Sequence, residues 1–150
     1  MSLYSIALFL HVVGAVLLFV LLTIEGVGLQ RGFATASMNR VLGPISAAAI
    51  FLPGLYMAAT TWGFKPWIMV GIATYVAIAV LGAITGVSVL RGRMGRDAAV
   101  LSWLARVGLA LGVLFDMTVK PGAFVAVAAV LLGLVIGAGA ARFGREVKAA

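Results

Sequence analysis

The sequence predicts an all-α, polytopic transmembrane helical bundle. Two observations carry that expectation: five long apolar runs, and connecting loops whose positive charge alternates between rich and poor. The runs cover about 3–24, 40–61, 66–90, 98–119 and 122–141, each close to the ~20 residues that a helix needs to cross a ~30 Å hydrocarbon core. Composition agrees, because 64% of the residues are hydrophobic and 10% are charged, well beyond what a water-soluble core of this size requires. Residues 1–150 therefore read as one integral-membrane domain. The formal charge of +7 does not indicate a nucleic-acid partner, since the basic residues sit at the ends of the runs and no aromatic-bearing soluble face accompanies them. The partner implied is the lipid bilayer. Without cysteine the chain forms no disulfide, thiolate metal site or iron–sulfur cluster.

The first run opens with MSLYSIALFL, which lacks the basic start of a signal peptide and continues too far for a cleaved one, so it reads as a retained helix. The second contains Pro44 and Pro53, each of which removes a backbone donor, kinks the helix and leaves carbonyls free to meet side chains or water. Trp62 and Trp67 flank Lys65 between runs two and three, a placement suited to a membrane interface. The third run holds Gly82 and Gly86, and the basic loop Arg91-Gly-Arg-Met-Gly-Arg96 that follows it suits anionic lipid rather than a nucleotide. The fourth is the weakest span because Arg106 and Asp116 lie inside it; the alternative is four spans, with 98–119 a surface helix. Gly108 and Gly112 in that run, and Gly133 and Gly137 in the fifth, each place two glycines on one helix face, where another backbone can approach. The last helix is expected to continue through the tail from Arg142.

Orientation follows from charge. Arg31 and Arg40 follow run one; Arg91, Arg93 and Arg96 follow run three; Arg142, Arg145 and Lys148 follow run five. The other loops carry only Lys65 and Lys120. The positive-inside rule then puts the N-terminus outside and the C-terminus in the cytoplasm, in the manner of a multi-pass protein of a bacterial inner membrane. Five spans, unlike four, let all three basic segments share one side.

Polar residues within the hydrocarbon are the functional candidates, since each costs a few kcal/mol there. His11 lies about 12 Å from the start of run one. Fourteen residues at 100° return Glu25 to within about 40° of it, so the two share a face with Ala15, Leu18 and Leu22. Glu25 and Arg106 lie at similar depth in the inner half and form a candidate ion pair; Asp116 lies near the outer end of run four. Met57, Met69 and Met117 are placed at the same end of the membrane as His11. Imidazole with thioethers suits Cu(I), while histidine, alone or with methionine, suits haem iron. A single histidine excludes a two-histidine site within one chain, though two subunits could each supply one.

The stretches Ala7-Leu-Phe-Leu-His11-Val-Val-Gly14-Ala15, Pro53-Gly54-Leu-Tyr56 through Thr61-Trp62-Gly63-Phe64-Lys65-Pro66-Trp67, and Met117-Thr-Val-Lys120-Pro121 resemble an uncharacterised bacterial family of predicted integral membrane proteins. That family is distantly similar to the CopD copper-resistance membrane domain and to HemJ-type protoporphyrinogen oxidases. In the HemJ-type enzymes a first-helix histidine and a lysine near the start of a later helix are implicated in haem binding and activity. His11 matches the first, and Lys65, here followed by Pro66 in a loop, corresponds to the second. The CopD resemblance implies His11 as a metal ligand. Both imply a shared scaffold with a histidine-centred outer-leaflet site, its cofactor haem b or copper, held by His11 with Lys65 and Met117 or with the methionines.

Phosphate-loop, nucleophile-elbow and HExxH motifs are absent from the sequence, so the reading leans away from an enzyme. Three functional expectations follow: a haem- or copper-associated membrane protein using His11; a small oligomeric permeation or transport protein; or a structural or assembly subunit whose glycine faces dock a larger membrane complex.

Overall fold

The computed structural model describes residues 2–32 and 35–149, with side chains described for all of these but 36, 37 and 144–149. It is all-helical among the described residues: α1 Leu3–Arg31, α2 Ala36–Met57, a π-helical turn Ala58–Trp62, α3 Pro66–Leu90, α4 Arg96–Val119 and α5 Ala123–Ala149. Five helices are long and apolar enough to cross a membrane. Large apolar side chains such as Phe9, Val16, Leu52, Phe124 and Leu132 stand exposed on their outer faces. Such exposure is unfavourable in water and ordinary against lipid tails.

Each helix ends for a local reason. In α1, Ser2 Oγ accepts from the Ser5 N–H at 3.2 Å, a side-chain cap on one of the orphan donors of the first turn. The helix outruns its apolar segment by about two turns, because nothing between Glu25 and Arg31 removes a donor; Gly32, at φ +78°, stops it. Helix α2 continues through both prolines. The wider π turn follows the end of α2, beginning at Ala58, and Gly63, at φ +70°, breaks the chain away. Pro66 opens α3 at the position where its missing N–H costs nothing. Asp97 sits in the first turn of α4, complementing the positive end of the helix dipole. Lys120 closes α4 in the left-handed region, at φ 54°, and Pro121 prevents continuation. Helix α5 extends past its long apolar run into the tail; the side chains of Arg145 and Lys148 lie outside the described residues.

The chain divides into two compact units, residues 1–65 and 66–150. In the first, α1 packs antiparallel on α2. A methyl built on Gly14 would stand 2.8 Å from the Ala49 carbonyl carbon and the Ile50 nitrogen, so a side chain there is excluded by backbone. Ser46 Oγ donates to the Gly14 carbonyl at 3.0 Å across the same seam. In the second unit α3 runs antiparallel to α4, with Gly71 opposite Met117, Gly82 opposite Arg106 and Thr85 hydrogen-bonded to Ser102 at 2.6 Å. The closest seam is α4 on α5: Gly108 abuts the Gly133 carbonyl, Gly137 abuts the Leu104 carbonyl, and a methyl on Gly112 would meet Val130 Cα at 2.7 Å. Between helices in lipid such packing, rather than apolar burial, drives association.

Candidate functional site

His11 is held by the α1–α2 seam. Its Nδ1 lies 2.7 Å from the Ile50 carbonyl oxygen. A carbonyl can only accept, so Nδ1 carries a proton, and in the neutral imidazole the lone pair is then on Nε2. Lacking an N–H, Pro53 leaves the Ala49 carbonyl, next to this acceptor, without its helical donor. Gly54 completes the cradle, since a methyl there would stand 3.1 Å from the His11 Cε1 and Nδ1. The imidazole thus lies along the α2 backbone with its tautomer and ring plane fixed, partly buried rather than enclosed. Nε2 has no hydrogen-bond partner among the described residues.

About two turns toward the start of α1, Trp62 Nε1 donates to the Tyr4 hydroxyl at 3.3 Å, and Lys65 Nζ stands 5.7 Å from the Trp62 ring centroid. Lys65 is exposed and engages an indole, an arrangement that anchors a membrane interface. Met57 is buried at 7% exposure near the end of α2, whereas Met69 is 50% exposed on α3. Met117, on α4, has its methyl against Gly71. Among the described residues no group of three or more His, Asp or Glu could hold a metal ion.

Leu22 is buried, while His11, Ala15, Leu18 and Glu25 are intermediate, and beside them the fully buried stripe Ala7, Gly14, Leu21 and Gly28 faces the seam. Arg106 is 4% exposed on α4, where Nε donates to the Ser102 carbonyl at 3.3 Å and Gly82 leaves room for the guanidinium. Asp116 is fully buried at 0% exposure, and neither carboxyl oxygen has a hydrogen-bond partner. By the register of α4 on α5 it faces the first turn of α5 near Ala126, itself 0% exposed.

Sequence reasoning missed the Ile50 carbonyl, Gly54, Ser46 and Tyr4. For Gly54 a signal existed in its lack of a side chain, which admits a close neighbour; for the Ile50 carbonyl, Ser46 and Tyr4 the inter-helix register was needed. Comparison with protein-family models, with curated proteins and with solved structures finds no match.

Proposed function

We propose that the protein is a multi-pass bacterial inner-membrane protein that holds haem b through His11 Nε2, with the N-terminus and His11 toward the outside and the basic segments in the cytoplasm. The observation that carries this is the Nδ1 bond to the Ile50 carbonyl. An imidazole that donates through one ring nitrogen to a backbone carbonyl is oriented and made more basic at the other, as metal-bound histidines regularly are. Haem fits the donor set better than copper does. The porphyrin brings its own four nitrogens and asks the protein for an axial ligand, whereas Cu(I) needs several soft protein donors. An external ligand or His11 of a second copy would supply any further donor that the group requires. The resemblance of the Ala7–Ala15 stretch to an uncharacterised family of membrane proteins, itself distantly similar to the HemJ-type and CopD proteins, supports the same residue.

The test is an absorption spectrum with metal analysis on detergent-purified protein reconstituted with haem. A Soret band is expected in the parent and absent in His11→Ala, with helical circular dichroism unchanged. A parent without a Soret band, or a variant that keeps it, overturns the assignment.

One observation favours permeation or transport as a second reading. Asp116 is buried without a partner inside a span, and an intramembrane carboxyl in that state marks an ion or proton pathway more readily than it contributes to stability. Asp116→Asn, nearly isosteric, is expected to fold and to abolish dye-reported proton flux in proteoliposomes. Flux equal to that of empty liposomes in the parent, or equal in parent and variant, removes this reading.

A further inference from the structure

The C-terminal end of α3 carries a groove that the histidine site does not use. It is an open groove of about 350 Å³ lined by Ala83, Ile84, Val87, Ser88, Arg91 and Arg93. Its shape begins in the backbone. The Gly92 N–H donates to the Val89 carbonyl at 3.0 Å, the Arg93 N–H donates to the Ser88 carbonyl at 2.8 Å, and Gly92 takes φ +63°. This pair of bonds around a left-handed glycine turns the chain back on the helix it has just left, and it brings the third residue after Leu90, the last helical position, over the final turn. In most such turns that residue is apolar. Here it is Arg93, so a guanidinium rather than a methyl group borders the helix end, beside Arg91 and the Ser88 hydroxyl.

The rest of the groove is apolar. Ala83, Ile84 and Val87 form one continuous stripe of α3, and all three are exposed; Ala83 supplies the hollow by its small size. At the other end, neither the Arg91 nor the Arg93 side chain has a hydrogen bond or ion pair with another described residue, and no carboxylate lines the site. A hydrocarbon wall leading to two unpaired guanidiniums and a hydroxyl matches one molecule in both halves: an acyl chain along α3 with its phosphate at the helix end. Arginine is well suited to the second half, because its fork accepts phosphate oxygens in pairs.

We propose that this groove is a binding site for a single anionic phospholipid, with Arg91, Arg93 and Ser88 holding the phosphate and Ala83, Ile84 and Val87 seating the chain. The site differs from the diffuse attraction of any basic loop to an anionic surface, because it names which arginines bind. Arg96 and Arg142 are also exposed and basic but do not line the groove.

Native mass spectrometry of the full-length protein with phosphatidylglycerol, and with phosphatidylcholine as the neutral counterpart, tests this. Phosphatidylglycerol is expected to bind with a defined stoichiometry and phosphatidylcholine weakly. Arg91→Gln and Arg93→Gln should each weaken the phosphatidylglycerol adduct by about tenfold, Ala83→Trp should displace it by filling the groove, and Arg96→Gln and Arg142→Gln should leave it unchanged. Inorganic phosphate at millimolar concentration should not compete. Equal losses at all four arginines would reduce the effect to net charge, retention in Ala83→Trp would remove the chain from the groove, and displacement by phosphate would make the ligand a free anion; each overturns the proposal.

Discussion

Gly133→Ala is expected to lower the midpoint of thermal unfolding in detergent, by a destabilisation of about 1–3 kcal/mol. The added methyl would coincide with the Gly108 carbonyl, and the reciprocal change Gly108→Ala would strike the Gly133 carbonyl. Both obstacles are backbone, which cannot rotate out of the way as a side chain can, so α4 and α5 must move apart along the seam. Separation there also loosens Gly137 from Leu104 and Gly112 from Val130. Gly86→Ala is the control of opposite sign. A methyl at that position meets nothing within 4 Å, and relieving the backbone entropy of a mid-helix glycine stabilises by about 0.5–1 kcal/mol. Thermal melts followed by circular dichroism or by a fluorescent thiol-independent dye separate the two. Equal midpoints for Gly133→Ala and Gly86→Ala would show that the α4–α5 contact is not as drawn.

Gly14→Ala is expected to disturb both stability and the histidine site. Its methyl would meet the Ala49 carbonyl carbon and the Ile50 nitrogen at 2.8 Å and the Ala49 Cβ at 2.9 Å, again mostly backbone. The seam must open by several tenths of an ångström. His11 sits one turn away on the same helix, bonded to Ile50 at 2.7 Å, and the Ile50 nitrogen is among the atoms displaced. The variant should therefore melt earlier and show a broadened, weakened haem spectrum after reconstitution. Ser46→Ala separates spacing from bonding: it removes the 3.0 Å bond to the Gly14 carbonyl at a cost of about 1 kcal/mol, adds no bulk, and should keep the parent spectrum. A Gly14→Ala protein with parental melting and parental spectrum would refute the described α1–α2 packing.

The spans were legible in the sequence because length and hydropathy are properties of each helix alone. Boundaries were less so. The residues from Glu25 to Arg31 are polar enough to leave the hydrocarbon yet able to remain helical, so hydropathy ends before α1 does. The same holds for the tail after Arg142. In α2 the prolines pointed to kinks, and the helix runs through both; which side chains meet it, His11 at Ile50 and Ser46 at Gly14, depended on the neighbouring helix. The site was legible in part. His11 stood out as the one histidine, and its depth followed from counting residues. What it touches depended on the register of α2 against α1, a tertiary fact that no spacing within α1 encodes. The methionines show the reverse limit, since a thioether that could ligate a soft metal is also an ordinary filler; Met117 lies against Gly71 and Met69 stands half exposed.

The link between α4 and α5 is three residues, Lys120 to Gly122, and the glycine seam lies between the two helices that it joins. Closing so short a loop costs little chain entropy, and contacts between sequence neighbours form early in folding. The α4–α5 pair is thereby equipped to assemble as a hairpin as soon as its second arm leaves the ribosome, without waiting for any other segment. The same seam that makes Gly133 intolerant of a methyl group thus sets an order of assembly.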